Sequence, residues 1–153
     1  MKKVPKTILI IALIVTLAFI WGNSLLSRDM SSNESGFVMR LVTPFLEIFV
    51  GKGNVTEHLV RKLAHFSEYT VLGVELGFLF GVLRRKINTN IWRSWPMIFM
   101  HGMAIAFIDE TIQIFTGRGP AISDVWIDSL GATLGSGIVL LVLFLVSGRK
   151  KNG

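Results

Sequence analysis

The chain has 153 residues, of which 51% are hydrophobic and only 17% are charged, and its mean hydropathy is +0.58. This length fits a single domain over residues 1–153, and so apolar a composition is typical of an integral membrane protein rather than a soluble one. The absence of cysteine excludes disulfides, thiolate metal sites and a cysteine nucleophile. The net charge of +6 does not indicate nucleic-acid binding, because the cations flank apolar stretches instead of alternating with aromatic residues.

The first apolar stretch follows three lysines and predicts a membrane helix over approximately residues 7–24. Lysines before an apolar run also occur in signal peptides, but no small-residue cleavage pattern follows Trp21-Gly22-Asn23-Ser24. We therefore expect an uncleaved first span. A polar loop over approximately residues 25–36 is predicted to follow it.

The next segment, approximately residues 37–50, is apolar except for Arg40, Thr43 and Glu47, which share one helical face. At 1.5 Å per residue this segment reaches about 21 Å, too short to cross about 30 Å of hydrocarbon. The pattern predicts an interfacial or re-entrant helix, bent near Pro44.

A glycine-containing turn, Gly51-Lys52-Gly53, is predicted to end this helix. Asn54 with Glu57 three residues later resembles a capping box at the start of the next helix. That helix is predicted to be the second span. The second, third and fourth spans are expected at approximately residues 59–83, 95–115 and 125–146.

The distribution of charge predicts the orientation. Three cations precede the first span, four lie in the segment 84–93 and three lie in the tail, and no carboxylate lies in these places. The positive-inside rule then places both termini and the 84–93 loop in the cytoplasm. We predict an all-α integral membrane fold, a four-helix transmembrane bundle with a short interfacial or re-entrant helix between spans one and two.

The second span carries ionisable residues on one side. On an ideal helix Arg61, His65, Glu68 and Glu75 fall within an arc of about 80°, which Tyr69 borders. Each ionisable group in hydrocarbon costs about 2.5–3.5 kcal/mol on insertion scales, so this stripe needs partners or a function. A separate ridge of glycines predicts close packing against another helix. The ridge consists of Gly73, Gly77 and Gly81.

Spans three and four bring more polar residues to the same end of the predicted bundle. Span three runs outward, so Asp109, Glu110 and Gln113 are expected near the outer surface, where the second span begins at Arg61. Glu75 is expected about 21 Å deeper by helical rise. The candidate pocket therefore comprises Arg61, Lys62, His65, Glu68, Tyr69, Asp109, Glu110, Gln113, Arg118, Asp124 and Asp128.

Two motifs resemble the signatures of the VanZ-like family. The first is Arg61-Lys62-x-x-His65-x-x-Glu68-Tyr69-x-x-x-Gly73. The second is Asp109-Glu110-x-x-Gln113-x-Phe115-x-x-Arg118, followed by Asp124, Asp128 and Gly131. The resemblance covers about residues 8–146, and Glu75 belongs to neither motif. It implies a multi-pass protein of the bacterial cytoplasmic membrane that acts at the cell surface and gives low-level resistance to the glycopeptide teicoplanin.

Two interpretations of the polar residues are open. In the structural one, buried ion pairs and hydrogen bonds hold the helices in register. In the functional one, the residues form an outward-facing pocket in which Arg61, Lys62 and Arg118 bind a phosphate or carboxylate. The histidine and the acids would then bind the rest of a headgroup or transfer protons. The expected partners are a membrane lipid, a lipid-linked wall precursor or a lipoglycopeptide.

Three further alternatives depend on single features. Acid–base catalysis on a lipid-linked envelope precursor is not favoured, because no pattern selects a nucleophile among Ser67, Tyr69 and water. His65-x-x-Glu68 offers two metal ligands on one face, but one such pair specifies no metal, and no cofactor is predicted. A small proton-coupled lipid transporter would use Glu75, and four spans without an inverted repeat would require a homo-oligomer.

Overall fold

A computed structural model describes residues 5–25, 28–86, 91–117, 119 and 121–149, and for 28–37, 84–86, 91–92 and 147–149 it describes the backbone only. These residues form five α-helices and a short 3-10 helix, with no strand among them, as predicted for an all-α fold. The 3-10 helix, Ile91–Ser94, leads directly into the fourth α-helix. The α-helices are α1 (Lys6–Leu25), α2 (Arg28–Val50), α3 (Glu57–Lys86), α4 (Trp95–Phe115) and α5 (Ile122–Arg149).

Four of these helices are long and apolar enough to cross a membrane. They are α1, the Glu57–Leu83 part of α3, α4, and the Ile122–Val146 part of α5. The outward faces of the bundle carry many exposed aliphatic and aromatic side chains, such as Ile14, Phe107 and Leu145. In water these surfaces would be unfavourable, whereas in a bilayer they contact lipid tails. The chain is thus a multi-pass helical membrane protein.

The helix between the first two spans begins earlier than predicted. α2 has 23 residues and starts at Arg28, so the prediction of a loop over residues 25–36 is wrong. Serine and asparagine lower helix propensity only moderately, so a polar composition does not by itself exclude a helix. α2 continues through Pro44 and exposes large apolar side chains in its second half, among them Phe45 and Phe49.

The turn between α2 and α3 contains two glycines with positive φ, Gly51 at 87° and Gly53 at 77°. This backbone conformation is open to glycine and strained for most other residues. The turn brings the side chain of Asn54 back to the end of α2, where it donates a hydrogen bond to the Val50 carbonyl at 2.8 Å. Thr56 instead caps α3, accepting the N–H three residues later at 3.2 Å. The predicted capping box at Asn54 is therefore wrong.

The contact between α3 and α5 brings two backbones together through glycines, as the glycine ridge of the second span predicted. A Cβ atom added at Gly73 would collide with the carbonyl of Ala132. A Cβ atom at Gly131 would lie 2.6 Å from the carbonyl oxygen of Phe66, closer than real Cβ contacts. The glycines at which an added Cβ would lie within 3.0 Å of an atom of the other helix are Gly73, Gly77, Gly81, Gly131 and Gly135.

The remaining spans pack around this pair. The core includes Ile20 of α1, Leu72 of α3, Ala106 of α4 and Leu140 of α5. At one end of the bundle the hydroxyl of Thr116, directly after α4, donates a hydrogen bond to the carbonyl of Ser24 at 3.1 Å. Asn23 near the end of α1 contacts Glu68 of α3, and Lys62 of α3 contacts Asp124 in the first turn of α5. The ends of α1 and α4 and the beginnings of α3 and α5 therefore lie at the same end of the bundle.

Candidate functional site

Buried polar residues concentrate at this end of the bundle. Asp109 and Asp128 are fully buried, and Glu110 and Gln113 are each only 6% exposed. Asp109, Glu110 and Gln113 lie on α4, and Asp128 lies on α5. Buried acids are rare in proteins unless they are paired, so their local contacts decide what the site can do.

The imidazole of His65 lies between the two fully buried aspartates. His65 Nδ1 is 3.7 Å from Asp109 Oδ2 and 3.9 Å from Asp128 Oδ2, and the histidine side chain is 13% exposed. These three residues come from α3, α4 and α5, respectively. One ligand atom from each lies within 4.8 Å of the other two, so the His65–Asp109–Asp128 cluster has the dimensions of a metal-ligand set.

Gln113 and Glu110 form a hydrogen-bonded support beside this cluster. Gln113 Nε2 donates to Asp109 Oδ2 at 3.3 Å and to Glu110 Oε1 at 3.1 Å. The other oxygen of Glu110 accepts the backbone N–H of Ala121 at 2.8 Å. One amide thus orients two carboxylates, and one of those carboxylates also fixes the start of the last span.

An open cleft of about 230 Å³ lies next to the cluster. Two cations in its wall have acidic partners. Lys62 Nζ is 2.9 Å from Asp124 Oδ1, and Arg61 is 2.8 Å from Glu57 in the same helix. The side chains of both pairs are partly exposed, so both cations remain within reach of a ligand. The charged and histidine residues in the cleft wall are His58, Arg61, Lys62, His65, Asp124 and Asp128.

The predicted polar face of the second span contacts three neighbouring helices. His65 faces acids on α4 and α5, whereas Glu68 accepts a hydrogen bond from Asn23 on α1 at 3.1 Å. Glu75 also turns to α1 and accepts the hydroxyl of Thr16 at 2.9 Å. Glu75 therefore contacts α1 and is separate from the cluster.

Two other predicted residues have distinct positions. Tyr69 is fully buried within electrostatic range of Asp109 and Asp128, and its hydroxyl has no hydrogen-bond partner among the described residues. Arg118 lies outside the described residues, so its predicted contact with an anion stays a prediction.

Several polar residues of the site were missed in the sequence. Asn23 and Thr16 are the α1 partners of Glu68 and Glu75, and Ser24, which follows Asn23, is fully buried. A single amide or hydroxyl within an apolar run is the signal that indicates such a partner. His58 was also missed, although it lies one helical turn before the cation pair in the cleft wall.

Together these features define a class, a helical multi-pass membrane protein with a buried polar cluster and an open, charged cleft at one end of its bundle. The chain belongs to the VanZ/LLP1 family, whose family model matches residues 9–144 and so covers most of the sequence. The resemblance drawn from the two motifs is confirmed. No curated protein and no solved structure matches the chain significantly.

Proposed function

We propose that the protein binds the polar headgroup of an amphiphilic bacterial cell-surface molecule in the cleft, from the outer leaflet of the cytoplasmic membrane. The main support is the cleft itself, which is lined by charges of both signs and opens at the end of a bundle with apolar sides. A ligand with a charged headgroup and an apolar tail matches both surfaces, because the tail stays in the bilayer while the head enters the cleft.

The charge pattern of the cleft favours a zwitterionic or anionic headgroup. Arg61 and Lys62 each have an acidic partner, and a phosphate or carboxylate would exchange those surface ion pairs for its own. Such exchange costs little, since partly exposed ion pairs contribute only about 0–1 kcal/mol. Arginine adds a planar fork that binds phosphate or carboxylate in two places.

At the cellular level we propose that this binding lowers susceptibility to lipoglycopeptides such as teicoplanin. The support is membership in the VanZ/LLP1 family together with the predicted outward orientation of the cleft. A protein that engages the anchoring lipid, a lipid-linked wall precursor or the drug itself at this surface would reduce productive binding of the drug.

Substitutions in the cleft wall test this function. Arg61→Gln and Lys62→Gln should abolish the rise in the minimum inhibitory concentration of teicoplanin in a susceptible host and should weaken binding of phosphatidylglycerol and of lipid-linked wall precursor in native mass spectrometry. Lys52→Gln is the matched control, because Lys52 is an exposed cation in the turn before α3. The proposal would be contradicted if Lys52→Gln lost as much resistance and lipid binding as the cleft variants. It would also be contradicted if both cleft variants kept full resistance at normal expression.

A membrane-embedded enzyme acting on a lipid-linked envelope precursor is the second candidate. It is favoured by the position of His65 between two buried carboxylates at the cleft wall, where an imidazole can act as a general acid or base. Incubation of purified protein with phosphatidylglycerol and with lipid-linked wall precursor should then yield products of changed mass. If the lipids bind but their masses do not change, the result supports binding without catalysis.

A further inference from the structure

Two fully buried carboxylates, those of Asp109 and Asp128, face one imidazole ring in the wall of the cleft. We propose that the His65–Asp109–Asp128 cluster binds a divalent transition-metal cation, of the Mn²⁺ or Zn²⁺ type, through one imidazole nitrogen and two carboxylate oxygens. A mixed nitrogen and oxygen ligand set suits these ions, since imidazole favours zinc and iron whereas carboxylates favour manganese.

The spacing of the ligand atoms supports a shared ion. The two Nδ1–Oδ2 distances of 3.7 and 3.9 Å exceed the length of an N–H···O hydrogen bond, about 2.7–3.2 Å. Two ligands that each lie about 2.1 Å from an ion at a tetrahedral angle are about 3.4 Å apart. The two distances from His65 to the aspartates therefore need to shorten by only a few tenths of an ångström to match those of ligands that share one ion.

Asp128 provides an independent indication of a ligand. It is fully buried, and neither of its carboxylate oxygens accepts a hydrogen bond from any described residue. Buried polar groups are nearly always hydrogen-bonded, so two such oxygens in one carboxylate are unusual. Oδ2 is directed toward His65, at 3.9 Å from Nδ1, and the acceptor capacity of Asp128 is thus available to an ion in the cluster.

The charge around the cluster also favours a cation. Burial of two carboxylates is unfavourable unless a positive charge compensates them. Of the described cations in the cleft wall, Lys62 is paired with Asp124 and Arg61 with Glu57. A protonated His65 would balance one of the two aspartates, whereas a divalent ion would balance both at once.

The hydrogen bond that orients Asp109 and the access to the cluster from the cleft also fit a metal site. Gln113 donates to Asp109 Oδ2, which is the kind of outer hydrogen bond that positions metal-ligating carboxylates. His65 and Asp128 line the cleft, whose volume of about 230 Å³ admits a hydrated ion, given about 30 Å³ for each water. The three ligands come from three helices. A spacing within one helix, such as His65-x-x-Glu68, could therefore not indicate this site in the sequence.

Metal titration of the full-length protein tests the site. Protein purified in detergent and stripped with a chelator is titrated with Mn²⁺, while free Mn²⁺ is followed by electron paramagnetic resonance. We expect one bound Mn²⁺ per chain, displaced by Zn²⁺, and a rise in the Tm of the protein on binding. Asp128→Asn and His65→Ala should each weaken binding at least 10-fold. Asp124→Asn, an acid in the same cleft wall but outside the cluster, should change it less than 3-fold.

A spectroscopic readout identifies the histidine ligand without reliance on affinity. Bound Mn²⁺ should show coupling to one imidazole ¹⁴N nucleus in pulsed resonance spectra, present in the His58→Ala variant and lost in His65→Ala. No saturable binding, equal affinity in Asp128→Asn and Asp124→Asn, or loss of the coupling in His58→Ala would overturn the proposal. If Asp128→Asn fails to fold, the proposal is still tested by the nitrogen coupling in the unaltered protein and by its loss in His65→Ala. Lipid binding is measured separately, so failure of the metal site and of the proposed function are distinguishable.

Discussion

A carboxylate oxygen of Glu110 accepts the backbone N–H of Ala121 at 2.8 Å, and so a buried side chain of α4 holds the residue that leads into α5. The second oxygen of the same carboxylate accepts Gln113 Nε2 at 3.1 Å. Hydrogen bonds to charged groups contribute more than neutral ones, and removal of one partner leaves the other buried and unsatisfied. The Glu110 side chain thereby links the polar cluster to the turn between the last two spans.

Removal of this link should destabilise the protein. We expect Glu110→Ala to lower the free energy of unfolding by about 2–3 kcal/mol, because two hydrogen bonds to a charged, buried group are lost. Equilibrium unfolding in a mild detergent with increasing denaturant measures this change. Glu57→Ala is the control, since Glu57 is a partly exposed acid at the same end of the bundle. An equal loss of stability in both variants would argue against a special role for Glu110.

The glycine contact between α3 and α5 predicts a sharp difference between two neighbouring positions. A Cβ at Gly135 would collide with the carbonyl of Thr70, whereas a Cβ at Gly137 would meet no atom within 4 Å. Gly135→Ala should therefore destabilise by about 2–3 kcal/mol through overpacking. Gly137→Ala should be neutral or stabilising by up to about 1 kcal/mol, because alanine is the better helix former. Thermal unfolding of both variants would show this, and similar Tm values would refute the close backbone contact.

The orientation inferred from the cations is directly testable, because the chain contains no cysteine. A cysteine at the exposed position Lys52 should react with a membrane-impermeant maleimide in intact cells. A cysteine at Lys150, in the basic tail, should react only after permeabilisation. The reverse pattern would place the cleft on the cytoplasmic side and remove the basis of the proposed surface function.

The ion pair between Lys62 and Asp124 should matter more for ligand binding than for stability. Both side chains are about one quarter exposed, so a double-mutant cycle should give a coupling in unfolding free energy below about 1 kcal/mol. Lys62→Gln should nevertheless reduce headgroup binding, since the cation faces the cleft. A coupling well above 2 kcal/mol would instead support the structural interpretation of these charges.

Glu75 distinguishes binding from proton-coupled transport. Its carboxylate accepts the Thr16 hydroxyl, and a glutamine at this position keeps an oxygen in the same place. We therefore expect Glu75→Gln to retain both thermal stability and teicoplanin resistance. A stable Glu75→Gln protein that has lost all resistance would favour the transporter, because glutamine keeps the size of the side chain but cannot take up or release a proton.

The long-range arrangement of the site was predictable because helix direction is predictable. Charge asymmetry implied that the third span ends where the second begins, and this brought Asp109 near His65. The glycine ridge was predictable for a similar reason, since residues four apart share one helix face. In both cases a simple periodicity acts over a whole helix.

The local partners were not predictable. His65 and Glu68 fall within one arc on a helical wheel, yet they contact different helices, because that arc lies at the border between α1 and the α4–α5 pair. Only the packed positions of the neighbours decide which side chain faces which helix. The early start of α2 was missed for another reason, namely that serine and asparagine lower helix propensity only moderately and so do not prevent helix formation.

The backbone contact between α3 and α5 has a consequence for how the site responds to its membrane. Helices tilt when the hydrocarbon thickness differs from their apolar length. His65 lies on α3 and Asp128 on α5, and their helices touch through glycines such as Gly73 and Gly135, so the two must tilt as one body. The separation of these two side chains should then be the same in thin and thick bilayers. α1 is joined to α3 instead through hydrogen bonds of flexible side chains, Asn23 to Glu68 and Thr16 to Glu75, so we expect α1 to change its tilt more than the α3–α5 pair.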